Sequence, residues 1–137
     1  MRRSLRILVC GAVLFVTGCP RGEQPPETFP AKGQLVDQNN QPVAATISFK
    51  SSQGASFAVV ATTDAEGRFE LETIFGNRKI KGAPKGEYRA TVMPMMGEQG
   101  QENEMLIEPI ELPQTFEVKP TQEGNEFSIQ VEIRKQR

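Results

Sequence analysis

The 137-residue chain has no histidine, no tryptophan, one tyrosine and two cysteines. Each shortage removes a class of chemistry. Without histidine, no Ser-His-Asp or Cys-His arrangement can form. The common zinc sites lose their usual nitrogen ligand as well. With so few aromatic rings there is little material for a stacking platform. The longest apolar run, residues 7–16, is ten residues, whereas a membrane-spanning helix needs about 20. Positive charge is not in surplus: the formal net charge is −1, which does not suit a nucleic-acid partner.

What the chain does have begins at its N-terminus. Residues 1–6, "MRRSLR", carry three arginines and no acid, and "ILVCGAVLFV" follows. A short basic stretch before a short apolar one reads as a secretory signal. The run closes on Val16-Thr17-Gly18-Cys19. This tetrad resembles the lipobox of bacterial lipoproteins: an aliphatic residue, a small residue, Gly or Ala, then Cys. Val16 stands where that family favours Leu. The resemblance implies cleavage between Gly18 and Cys19 and a diacylglyceryl group on the Cys19 thiol, with palmitate-type acyl chains as the membrane anchor. Two or three acyl chains are needed for durable attachment, at about 0.8 kcal/mol per buried CH₂.

Cleavage would remove Arg2, Arg3 and Arg6 and no acid, shifting the formal net charge from −1 to −4. Cys10 would leave with the signal and Cys19 would carry lipid, so no disulfide is expected. Residues 1–18 are thus read as a signal peptide and 19–29 as a lipidated, Pro-rich tether. Residues 30–137 are read as one domain. The tether, "PRGEQPPE", favours an extended form rising about 3.1 Å per residue. Pro20 follows Cys19, not the Asp associated with inner-membrane retention, and the choice between inner and outer membrane stays open.

The domain alternates with period two. In "VAATISFK", Val43, Ala45, Ile47 and Phe49 share one face. Phe69 and Leu71 alternate with acids and an arginine in "RFELE". Tyr88, Ala90 and Val92 line up in "EYRATV", and Phe127, Ile129, Val131 and Ile133 in "EFSIQVEIR". "KGQLV", "FAVVATT", "MLIEPIEL" and "TFEVK" are of strand length. Turn chemistry separates them: "DQNNQP", "DAEG", "GAPKG" and "KPTQEGN". The pattern predicts an all-β antiparallel sandwich of seven or eight strands, with "DAEG" closing a hairpin between "FAVVATT" and "RFELE". Pro109 removes a ladder donor, so its strand is expected at an edge or bulged.

The order Gly33-Leu35-Val36, Pro42-Val43, Thr63-Asp64, Gly67, Phe69, then Pro84, Gly86 and Tyr88 resembles the carboxypeptidase regulatory-like domain. That family implies a prealbumin (transthyretin-like) sandwich of seven strands, across about residues 31–134. Its motif elements are turn and core signatures. Asp64 is expected to bond backbone amides two residues on, Gly67 to take positive φ, and Tyr88 to bury its ring and partner its hydroxyl. Hydroxyisourate hydrolases of the transthyretin kind use histidines and a Tyr-Arg-Gly-Ser C-terminus. This chain ends "EIRKQR".

Three features carry weaker signals. Met93, Met95 and Met96 offer thioethers that suit Cu(I), or adaptable packing at a strand end. Asp64 and Glu66 offer oxygens, but calcium takes six to eight ligands. Two loops, 73–85 with Arg78, Lys79, Lys81 and Lys85, and 94–105 with Glu98, Glu102 and Glu104, offer opposite charge to a partner or to each other. The expectation is a non-enzymatic module of the bacterial cell envelope, with no cofactor, tethered to a membrane through Cys19. It would contact an envelope protein or another copy of itself. The alternative is a small-ligand or carbohydrate-binding domain.

Overall fold

A strand with one apolar face has to bury that face, and here two sheets bury theirs against each other. The computed structural model describes Gly18 and residues 22–95 and 108–134. Among these residues there is no helix. Nine strands form: β1 (Ala31–Asp37), β2 (Ala45–Ser51), β3 (Ala58–Thr62), β4 (Arg68–Glu70), β5 (Glu72–Phe75), β6 (Arg78–Lys81), β7 (Gly86–Pro94), β8 (Ile110–Val118) and β9 (Asn125–Val131). One sheet has the order β4-β1-β9 and the other β6-β5-β3-β2-β7-β8. The predicted inward residues are inward: Ala45, Ile47, Leu71, Tyr88, Ala90, Val92 and Ile129 are all at most 1 % exposed. The sheets meet through aromatic edges. Phe49 of β2 faces Phe69 of β4 at 6.3 Å, and Phe116 of β8 meets Phe127 of β9 at 5.5 Å, near perpendicular. Such tilted pairs match the ring quadrupole.

The architecture is all-β and sandwich-like, but it corrects several expectations. "DAEG" does not close a hairpin. β3 pairs with β2 and β5, whereas β4 pairs with β1 in the other sheet, so the turn is an arch between sheets. "RFELE" is not one strand but two, divided at Leu71. The N–H of Leu71 donates to Ala31 and its carbonyl accepts from Gly82, both at 2.8 Å. One residue therefore serves both sheets, and the chain changes sheet without losing a bond.

Residues 73–85 are not a loop. β5 and β6 form an antiparallel hairpin in which Phe75 faces Arg78 across Gly76-Asn77. Gly76 has φ 59°, as a two-residue hairpin turn with Gly first requires. β1 and β9 run parallel over seven residues, Ala31↔Asn125 to Asp37↔Val131, so the sheets are not wholly antiparallel. Alternation fixes which face is buried but not the direction of the neighbour. Among the described residues the strand count is nine rather than seven or eight.

"MLIEPIEL" and "TFEVK" contribute to a single strand, β8. It does lie at an edge and its register against β7 breaks between Arg89 and Thr91. The break sits opposite Pro113; Pro109 precedes the strand.

Two turns repeat one design. The Asp37 carboxylate accepts the N–H groups of Asn39 and Gln41, and the Asp64 carboxylate accepts those of Glu66 and Arg68, all at 2.8–2.9 Å. Asn40 (φ 59°) and Gly67 (φ 75°) occupy the same left-handed position. Their surroundings differ. A Cβ on Gly67 would clash with the Leu35 carbonyl oxygen, because the Gly67 carbonyl accepts the Leu35 N–H at 2.8 Å. Gly67→Ala should cost more than about 2 kcal/mol, from the left-handed backbone plus this clash. Asn40→Gly should stay within about 1 kcal/mol of the parent. Urea midpoints of the two variants against the parent chain measure the difference.

Candidate functional site

The residue to which sequence reasoning assigns chemistry, Cys19, lies outside the described residues, as do Met96, Glu98, Glu102 and Glu104. The tether's attachment is described. Residues 22–28 form no strand. Thr28 then donates its hydroxyl to the Lys81 carbonyl at 2.8 Å, and Phe29 pairs its backbone with Ala83. Phe29 is 6 % exposed and belongs to the core. The tether therefore docks at the end of the domain where β1 and β9 begin. The two Asp turns lie at the opposite end, since one follows β1 and the other precedes β4, which runs antiparallel to β1.

An open groove of about 640 Å³ lies at the corner where β4 passes to β5. Lys32, Arg68 and Lys79 line it together with Asp64, Glu70 and Glu72. These charges balance and are largely engaged. Lys79 bonds Glu72 at 2.9 Å, Arg68 bonds Glu66 at 3.2 Å and Lys32 bonds Glu126 at 3.4 Å. All of these pairs are solvent-facing, where an ion pair contributes little. The Asp64 oxygen expected to serve a cation is already the acceptor for two amides. Among the described residues, no group of three or more acids, cysteines or histidines is arranged to hold a metal.

Arg78, Lys79 and Lys81, expected in a loop, stand exposed on β6, an edge strand. Met93 and Met95 lie outside the core and are 52 % and 45 % exposed. Sequence reasoning missed the buried polar residues that stitch the sheets. The Thr63 hydroxyl donates to Val43 and accepts the Ala45 N–H, both at 2.8 Å. Thr73 donates to Gly82 at 2.8 Å. Asn125 bonds Pro30 and both backbone groups of Lys119. A Thr after a run of strand residues, or an Asn after Gly, was the available signal.

Tyr88 is the one group with a clearly displaced pKa among the described residues. Burial pushes it from 10.0 up to about 12. Its hydroxyl donates to the Pro84 carbonyl at 2.7 Å, four residues upstream, the geometry of a tyrosine corner. Tyr88 is 1 % exposed and does not itself line the groove, so its role is structural. No protein-family model matches this chain, and no curated protein is similar enough to match it.

The Tyr88 contribution has a definite pH window. Because the folded pKa is raised, the stabilisation is fully present below pH 10 and is lost as pH rises through about 12. Tyr88 is the only tyrosine, so tyrosinate absorbance reports it alone and should titrate near 12 in the folded chain. Tyr88→Phe should lose about 1 kcal/mol at neutral pH. It should also lose less stability than the parent between pH 10 and 12, as read from urea midpoints.

Proposed function

We propose that this protein is a lipid-anchored, non-enzymatic module of the bacterial cell envelope, whose sandwich is of the prealbumin, carboxypeptidase regulatory-like kind and works by protein–protein contact. The observation that carries the reading is Val16-Thr17-Gly18-Cys19 after a basic and an apolar stretch. The strandless segment 22–28 supports it. Such a segment suits a spacer, and the domain's hydrogen bonding begins only at Thr28 and Phe29. No helix of the described residues is long and apolar enough to cross a membrane, and the proposed attachment needs none.

The absence of histidine argues against acyl-transfer chemistry. The groove offers paired, solvent-facing charges, not an enclosed acid or base positioned for proton transfer. A small-ligand or carbohydrate role is the second reading, and the groove is the observation that favours it. It ranks lower because no described Phe or Tyr is exposed as a stacking surface.

Cys19→Ser should move the protein from the membrane fraction to the soluble fraction of the envelope, and the acyl mass carried by the parent's N-terminus should be absent. Fractionation with mass measurement of the N-terminus reads both. A Cys19→Ser chain that stayed membrane-bound would refute the anchor.

A further inference from the structure

The two sheets have four edge strands, and three of them carry devices that discourage further pairing. β4 has three residues and β6 has four, with Arg78, Lys79 and Lys81 along it. β8 contains Pro113 and a break in register. Short length, lysine, proline and bulges are the usual protections of a sheet edge. β9 has none of them. It is seven unbroken residues, "NEFSIQV", without proline, lysine or arginine. Among the described residues only β1 pairs with it.

The free side of β9 can be worked out from its neighbour. The Leu35 N–H donates to Gly67 and the Ala31 carbonyl accepts from Leu71, so the odd residues of β1 serve the β4 side. Its even residues, Lys32, Gln34 and Val36, therefore serve β9. They align with Glu126, Ser128 and Gln130. In a parallel ladder the residues flanking an aligned partner make the bonds. The N–H and C=O groups of Glu126, Ser128 and Gln130 are thus left pointing away from β1. Asn125, whose N–H donates to Pro30, fits the same parity.

We infer that β9 pairs antiparallel with β9 of a second copy, about a two-fold axis at Ser128. This rests on the protein-contact reading above and names the partner. The parity selects the register. Pairing Ser128 with Ser128 also sets Glu126 opposite the second copy's Gln130 at both ends, so all three outward residues enter hydrogen-bonded pairs. A slip of one such residue toward the N-terminus brings the two Glu126 carboxylates toward each other and loses a pair. On the inner face Ile129 is already fully buried and Phe127 half-buried within each copy, so the backbone ladder carries the pairing. The three-stranded sheet becomes six strands continuous across the axis. A two-fold, self-complementary contact of this kind closes on itself.

The register is tested by charge at position 130. Gln130→Glu places a carboxylate opposite Glu126 twice and should weaken the dimer about tenfold, since like charges directly opposite cost up to about 1 kcal/mol per pair. Gln130→Lys should tighten it. Sedimentation of the full chain in detergent micelles reads both constants. As an independent arm, oxidation of the Ser128→Cys chain in membranes should give a disulfide joining position 128 to position 128, mapped by mass spectrometry. Hydrogen-bonded antiparallel pairs hold Cα atoms about 5.5 Å apart, within disulfide range. The exposed control Ser48→Cys should give no such link.

A parent chain that stays monomeric, equal effects of the two Gln130 variants, or equal crosslinking at 48 and 128 would overturn the inference. Its failure is separable from failure of the anchor, because the Cys19→Ser chain should dimerise through β9 all the same.

Discussion

One residue, Leu71, holds the two sheets in place against each other. A sandwich needs the chain to leave one sheet and join the other, and a crossing normally strands backbone donors and acceptors in the interior. Leu71 avoids this by donating to Ala31 in one sheet and accepting from Gly82, beside the other, both at 2.8 Å. Its side chain is 1 % exposed, so the crossing is also a piece of core. An orphaned buried amide would cost about 1–3 kcal/mol. Because Leu71 is shared, β4 must lie on β1 and β5 on β3, and the charged groove forms at the corner between them. The Phe29–Ala83 bridge beside Gly82 then ties the start of the domain to the same junction.

The remaining polar groups follow the same economy. Thr63, Thr73 and Asn125 are the buried polar residues, and each is bonded to backbone that the sheet ladders leave over. Among the described residues no buried side-chain nitrogen or oxygen lacks a partner. Of the two acids that offered cation ligands by sequence, Asp64 and Glu66, Asp64 is occupied with turn amides, as Asp37 is in the matching turn. Polar chemistry is thus spent on holding the fold. Among the described residues, exposed charge in pairs and the hydrogen-bonding edges of the sheets are what is left for recognition, and these support the protein-contact reading proposed above.

Inward and outward faces were legible in the sequence because alternation of Ile47, Phe49, Tyr88, Val92 and Ile129 is a direct record of burial. The Asp64–Gly67 turn and the Tyr88 hydroxyl were legible for the same reason: each is a local bond among residues a few positions apart. Partner choice was not. Nothing in "RFELE" says that Leu71 is a junction, since its side chain points inward in either sheet. The β5–β6 hairpin was hidden because "RKIK" carries three charges in four residues, although Gly76-Asn77 is a hairpin signal. The parallel neighbour of β9 lies ninety-odd residues away in the chain, as the Asn125–Pro30 bond with its separation of 95 records, and no local pattern encodes that. The candidate site was legible only as Cys19; the groove required the crossing to be known.

The proposed anchor and the proposed β9 pair constrain each other. An antiparallel pair sets the two tether docking points, at Phe29, at opposite ends of the dimer. Both acyl anchors can then enter one bilayer only if the strands lie along its surface, with the two-fold axis along the normal. From Cys19 to Phe29 the extended tether reaches roughly 30 Å at about 3.1 Å per residue, enough for each end to reach the bilayer from a domain lying on its side. A lateral arrangement also gives the pairing a physical advantage. Confinement to a surface raises the effective concentration of one copy near another, so a contact of modest intrinsic strength becomes populated without any new interaction. A short β9 edge with three outward residues is a contact of that strength, and lipid anchoring would raise the occupancy of a pair that the unanchored chain also forms at higher concentration.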